Sequence, residues 1–154
     1  MILGIHASIR AGYPAALETA SGLGCKALQI LAYRRHHEPG DGELAAVRDG
    51  ARERGLRLIV HARYVPFLGS RDAARHEHSV ALLRRELRLS AALGAEGLIL
   101  HAGAYAAGED KARGLARVAE GVLRALEDGK APVPLILENV PGGGRRLVEA
   151  IESR

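Results

Sequence analysis

Short aliphatic runs and longer amphipathic stretches alternate five times along this chain of 154 residues. That alternation limits the fold more than any other feature, because the two patterns demand different backbones. The aliphatic runs are too short for helices and read as buried strands, expected over 2–6, 27–31, 56–61, 97–101 and 134–138. Between them apolar residues recur at helical spacing. A first helix is expected from Pro14, which suits a first helical position, to the glycines at 22–24, with Leu17 and Ala20 on one face. Leu44, Val47 and Ala51 mark a helix over 43–54 that stops at Gly55. Val80, Leu83 and Leu87 mark one over 73–93 closed by Gly94, and Leu115, Val118, Val122 and Leu126 are expected inward over 110–127. A fifth helix is expected after Gly144.

Strand–helix alternation of this kind builds a parallel sheet with helical crossovers. A doubly wound sheet usually carries a glycine-rich phosphate loop after its first strand. Here the corresponding segment, His6-Ala7-Ser8-Ile9-Arg10-Ala11-Gly12, has no G-x-G-x-x-G pattern. A closed (β/α)8 barrel needs more units and typically about 250 residues. The expectation is therefore a partial TIM barrel: a single incomplete domain over 1–154, its five βα units forming an open, curved parallel sheet. Both edge strands would expose unpaired backbone groups, so self-association is expected.

Three of the runs end in a side chain that can bind metal. Leu58-Ile59-Val60 leads into His61, Leu98-Ile99-Leu100 into His101, and Leu135-Ile136-Leu137 into Glu138 followed by Asn139. In parallel α/β folds the C-terminal strand ends gather at one face, where active sites sit. Two imidazoles and a carboxylate are the ligand number and type of a catalytic zinc shell with one open position. His6 also ends a strand and would line the same pocket; hydrogen bonding to a neighbour explains it equally well. His36 and His37 fall in a polar loop and His76 and His78 near a helix start, all expected in solvent.

Composition excludes several classes. The chain is 47% hydrophobic and 26% charged, ordinary for a globular protein. No apolar run approaches the roughly 20 residues of a membrane helix, so no membrane partner is expected. The one cysteine, Cys25, cannot form an internal disulfide, and residues 1–6 lack the charged and long apolar regions of a signal peptide. A cytoplasmic location is the expectation. The net charge of +4 favours an anionic partner such as nucleic acid.

Five short segments resemble, in order, motifs of the endonuclease IV family of apurinic/apyrimidinic (AP) endonucleases, (β/α)8 barrels of the xylose-isomerase-like superfamily. They are Gly4-Ile5-His6-Ala7-Ser8, Ala27-Leu28-Gln29-Ile30, Val60-His61-Ala62-Arg63-Tyr64, Leu100-His101-Ala102-Gly103 and Leu137-Glu138-Asn139-Val140. The resemblance extends over nearly the whole chain and matches the N-terminal part of that family. It implies zinc-dependent hydrolysis of the phosphodiester 5′ to abasic sites in DNA repair. His61, His101 and Glu138 match ligands of a three-zinc cluster, with Glu138 as the bridging, catalytic carboxylate. Tyr64 and Val65 match a pair that probes the DNA at the lesion, Arg35 matches an arginine with a similar task, and His6 and Asn139 would line the pocket.

The departures lie at the same face. The family's remaining ligands come from strands 6 to 8, so about one zinc is expected on this chain, with weak or no activity alone. Ala102 stands for a proline, Gly103-Ala104-Tyr105 for G-S-H, and Val140-Pro141-Gly142-Gly143-Gly144 for T-A-G-Q-G. Two alternatives stay open. One is a metal-dependent sugar isomerase or epimerase of the same superfamily, whose metal shells are richer in carboxylates. The other is a non-catalytic truncated remnant.

Overall fold

The computed structural model describes residues 1–63, 67–101, 103–126 and 133–138. Among them the chain forms β1 (Gly4–His6), α1 (Tyr13–Gly22), β2 (Ala27–Leu31), α2 (Asp41–Glu53), β3 (Arg57–His61), α3 (Ala73–Ala92), β4 (Leu98–His101), α4 (Lys111–Leu126) and β5 (Leu135–Glu138). The strands follow one another in the sheet as β1-β2-β3-β4-β5, which leaves β1 and β5 at its edges. Pairing is parallel from β1 to β4. The Leu98 N–H donates to the Pro134 carbonyl at 2.9 Å, tying the start of β4 to the segment entering β5. Sequential order with a helix in every crossover is the first part of a TIM-barrel winding. The expected fifth helix lies outside the described residues.

Two compact units make up the chain. The first comprises Met1–Arg63, Glu86–Ile99 and Pro132–Leu135. Its strands alternate in burial with the period of the pleat. Leu28 and Ile30, Leu58 and Val60, and Leu98 are buried. Their neighbours Gln29, Leu31, Ile59, His61 and Ile99 are only half-buried. Helix α1 contacts β2 and α2, and α2 contacts β3. The two helices bury Ala16, Leu17 and Ala20 and Leu44, Val47 and Ala51, the stripes the spacing predicts. Tyr13 locks this layer: its hydroxyl donates to the Ala32 carbonyl at 2.6 Å just beyond β2. Burial, then the nearby Glu43 carboxylate, pushes the phenol up to about 12, so Tyr13 stays a neutral donor.

The second unit comprises Tyr64–Arg85, Leu100–Ala131 and Ile136–Arg154. Its buried residues include Leu68, Val80, Leu83, Val118 and Ala125. Helix α4 differs from expectation. It buries Gly114, Val118, Gly121 and Ala125, whereas Leu115 is 38% exposed. The glycines decide the phase. A Cβ on Gly114 would collide with the Tyr105 Cβ, and one on Gly121 would come within 2.8 Å of Leu68. The helix thus turns its smallest side chains to the interior so that neighbouring segments approach closely, and the leucines move off the stripe. His76 is also buried at 6% exposure, against expectation. Its Nδ1 pairs with the Leu68 carbonyl at 2.9 Å, which offsets the cost of burying the ring. His78 is exposed, as expected.

Smaller corrections sit at element ends. Strand β1 begins at Gly4, and Ile2 and Leu3 are exposed. Helices α1 and α2 start at Tyr13 and Asp41, before the expected residues. Gly94, at φ +66, takes the left-handed conformation that ends α3 and that other residues adopt only with strain.

Candidate functional site

In the first unit, the C-terminal ends of β1, β2 and β3 border a cleft of about 910 Å³. Among the described residues its lining carries Arg10, Arg34, Arg35, Arg63, His6 and His37, and no carboxylate. The cleft is therefore built for an anion. One of the arginines is held in place. The Arg63 guanidinium donates to the Tyr33 carbonyl at 3.0 Å and lies over the Tyr33 ring at 5.5 Å. Behind it, the Arg63 backbone N–H donates to the buried carboxylate of Glu86 at 3.3 Å. His37 pairs with Glu43 at 2.8 Å, so it is more ordered than the solvated loop residue expected from sequence. His36 is exposed and adopts φ 60, which marks the tight turn where Arg34 bridges to His37.

His61 is half-buried at the end of β3. Its Nδ1 lies 2.9 Å from the Ala62 carbonyl oxygen. A carbonyl only accepts, so Nδ1 carries a hydrogen. Metal-binding histidines use this arrangement, with one nitrogen fixed by a backbone carbonyl. The His6 ring stacks on it with centroids 5.8 Å apart and planes 17° from parallel. His6 in turn pairs through Nδ1 with Gln29 Nε2 at 3.0 Å.

In the second unit, His101 at the end of β4 and Glu138 at the end of β5 meet directly. His101 Nε2 lies 2.9 Å from Glu138 Oε2. The carboxylate accepts and the imidazole donates. Both side chains are partly exposed, which leaves the pair accessible. The loop after β4 is anchored to α4. Arg117 on α4 pairs with Glu109 and donates to the Gly69 carbonyl at 3.3 Å. Glu109 also accepts the Ala106 N–H at 3.4 Å.

Of the residues expected from sequence, His6 and Arg35 border the cleft, His61 stacks on His6, and His101 pairs with Glu138. Tyr64, Val65 and Asn139 lie outside the described residues. Sequence reading missed Gln29 and Glu86. The position of Gln29 in the strand was legible, but its partner follows from the register that sets it opposite His6. The donors match zinc in type: imidazole nitrogen and carboxylate oxygen.

Residues 17–153 match the family model described as xylose isomerase-like TIM barrel. The chain is 38% identical over 156 aligned residues to a protein of Symbiobacterium thermophilum named probable endonuclease 4. That alignment covers 99% of this chain and 56% of the relative, so the chain spans about half the relative's length. Among solved structures, an endonuclease IV from Thermus thermophilus superimposes with a TM-score of 0.76 and 33% identity, over 94% of this chain and 54% of that one. A D-psicose 3-epimerase determined in the presence of D-fructose superimposes with a TM-score of 0.71 and 26% identity, over 91% of this chain and 53% of that one.

Proposed function

The chain belongs to the xylose isomerase-like TIM barrel family, and from that premise we propose that it is the β1-to-β5 part of an endonuclease IV-type phosphodiesterase. Its substrate is DNA containing abasic sites, met in the cytoplasm. The observation that carries the reading is the 2.9 Å pairing of His101 with Glu138 at two strand ends. An imidazole and a carboxylate in contact are the donors a divalent ion would replace with two metal bonds.

His61, His101 and Glu138 would hold that ion, most simply one zinc. When bound, zinc supplies an activated water and stabilises charge on the phosphodiester oxygens. The Ala62 carbonyl holds a hydrogen on His61 Nδ1, so Nε2 is the atom that would ligate. His101 would ligate through Nε2 once its hydrogen moves to Nδ1. Arg34, Arg35 and Arg63 attract the DNA backbone to the cleft. By the resemblance of their motifs, Tyr64 and Val65 would probe the lesion and Asn139 would line the pocket. The open edges of β1 and β5 favour self-association.

The resemblance to the D-psicose 3-epimerase supports a second reading, sugar epimerisation. Two histidines to one carboxylate argue against it, as does a cleft rich in guanidinium groups. The test uses duplexes with and without a stable abasic analogue, with zinc and after chelation. Zinc-dependent preference for the abasic duplex of about tenfold, some 1.4 kcal/mol, is expected, with slow incision at most. Equal affinity for both duplexes in both conditions would reject the reading, and turnover of D-psicose would replace it.

A further inference from the structure

The arginines that line the cleft differ in what serves their N–H groups. Arg10 and Arg35 are exposed, so water meets them. Arg63 donates to the Tyr33 carbonyl at 3.0 Å and lies over the Tyr33 ring. Arg34 is the exception. It is half-buried, and its Nε is buried with no hydrogen-bond acceptor among the described residues. Buried donors are normally paired, and an unpaired one on a cationic group bears the full cost of leaving water.

The backbone of Arg34 is nonetheless fixed. Its carbonyl accepts the His37 N–H at 3.1 Å, in an antiparallel bridge between the two residues. The His37 ring pairs with Glu43 of α2 at 2.8 Å, which fastens the far side of the turn. The Arg34 charge also sits deep. Burial, then Glu43, raises the Tyr13 phenol, and Arg34 opposes them, so the guanidinium lies near that buried hydroxyl.

No carboxylate among the described lining residues can supply the acceptor. A phosphate oxygen can. A guanidinium presents its N–H groups as a planar fork that matches two oxygens of one phosphate. We propose that Arg34 is the phosphate-gripping arginine of the cleft, and that it acts by turning its Nε–H onto a phosphate oxygen. Arg10 and Arg35 exchange water for the same oxygen and gain little. Arg34 has no such exchange to make at Nε, so its gain on binding is larger. This rests on the phosphodiester reading for the ligand in the cell, but the grip itself requires only a phosphate.

Inorganic phosphate is the probe, added to metal-free protein without DNA while nitrogen-15 NMR follows the arginine Nε–H signals. Before phosphate, the wild-type Arg34 Nε–H should exchange slowly with water, because it is buried. Phosphate should then move that proton downfield further than those of Arg10 and Arg35, as it gains a charged acceptor. Arg34→Lys keeps the charge and loses the fork. It should lower phosphate affinity about tenfold, against about twofold or less for Arg10→Lys and Arg35→Lys. The wild-type shifts decide the matter even where a variant folds poorly. An Arg34 signal that phosphate leaves in place, equal losses in the three lysine variants, or no binding at millimolar phosphate would overturn the proposal. An intact Arg34 response without preference for abasic duplex would reject the nuclease reading and leave the grip standing.

Discussion

Replacing His61 and His101 together by alanine is expected to abolish zinc retention. The wild-type chain should keep about one zinc through dialysis, and the double variant only background metal. Losing a group that merely orients a ligand costs about 10- to 100-fold in affinity, so losing two directly ligating imidazoles should exceed 100-fold. Glu138 alone cannot hold a borderline-soft ion against solvent. The fold should survive, because both rings are only partly buried and neither belongs to the apolar core. Elemental analysis of both proteins after identical dialysis measures this. Equal metal content would place the zinc elsewhere or nowhere.

The second large effect concerns DNA. Binding should be salt-sensitive, and the sensitivity should trace to Arg34, Arg35 and Arg63, which line the cleft. Three guanidinium–phosphate contacts contribute a slope of roughly −2.7 in log affinity against log salt. Their share of affinity should therefore fall about 40-fold for a fourfold rise in salt. Changing all three to glutamine should remove that share and flatten the slope by the same amount. Fluorescence anisotropy across a salt series separates the two proteins. Parallel slopes would mean that the phosphates are met elsewhere.

The winding was legible because each strand run is aliphatic and each crossover carries a helical stripe. Leu17 with Ala20, Leu44 with Val47, and Val80 with Leu83 are all buried where their spacing puts them. Reading failed where burial goes to small or polar groups. In α4 a count of leucines points to Leu115, but Gly114 and Gly121 face inward because neighbouring segments come too close for a side chain. His76 lies one turn before Val80 on the same stripe, so its position hinted at burial. Its acceptor, the Leu68 carbonyl, is a loop atom that no periodicity marks.

The strand-end positions of His101 and Glu138 were legible for a related reason. A polar side chain that ends an aliphatic strand stands at the face where strand ends gather. His101 and Glu138 satisfy this and are in contact. The groups that tune such a site were not legible. The carbonyl beside His61 Nδ1 is a backbone atom of the next residue, and the Gln29 amide opposite His6 and the Glu86 carboxylate under Arg63 arrive through strand register or distant packing. Residue type alone does not announce those contacts.

If His61, His101 and Glu138 share one metal ion, X-ray absorption at the zinc edge of the loaded chain should report all three. Two imidazole nitrogens are expected at about 2.0–2.1 Å and carboxylate or water oxygen at about 2.0–2.2 Å. One imidazole contribution should disappear in His61→Ala and one in His101→Ala. A sulfur shell near roughly 2.3 Å, or a spectrum unchanged by either substitution, would contradict it.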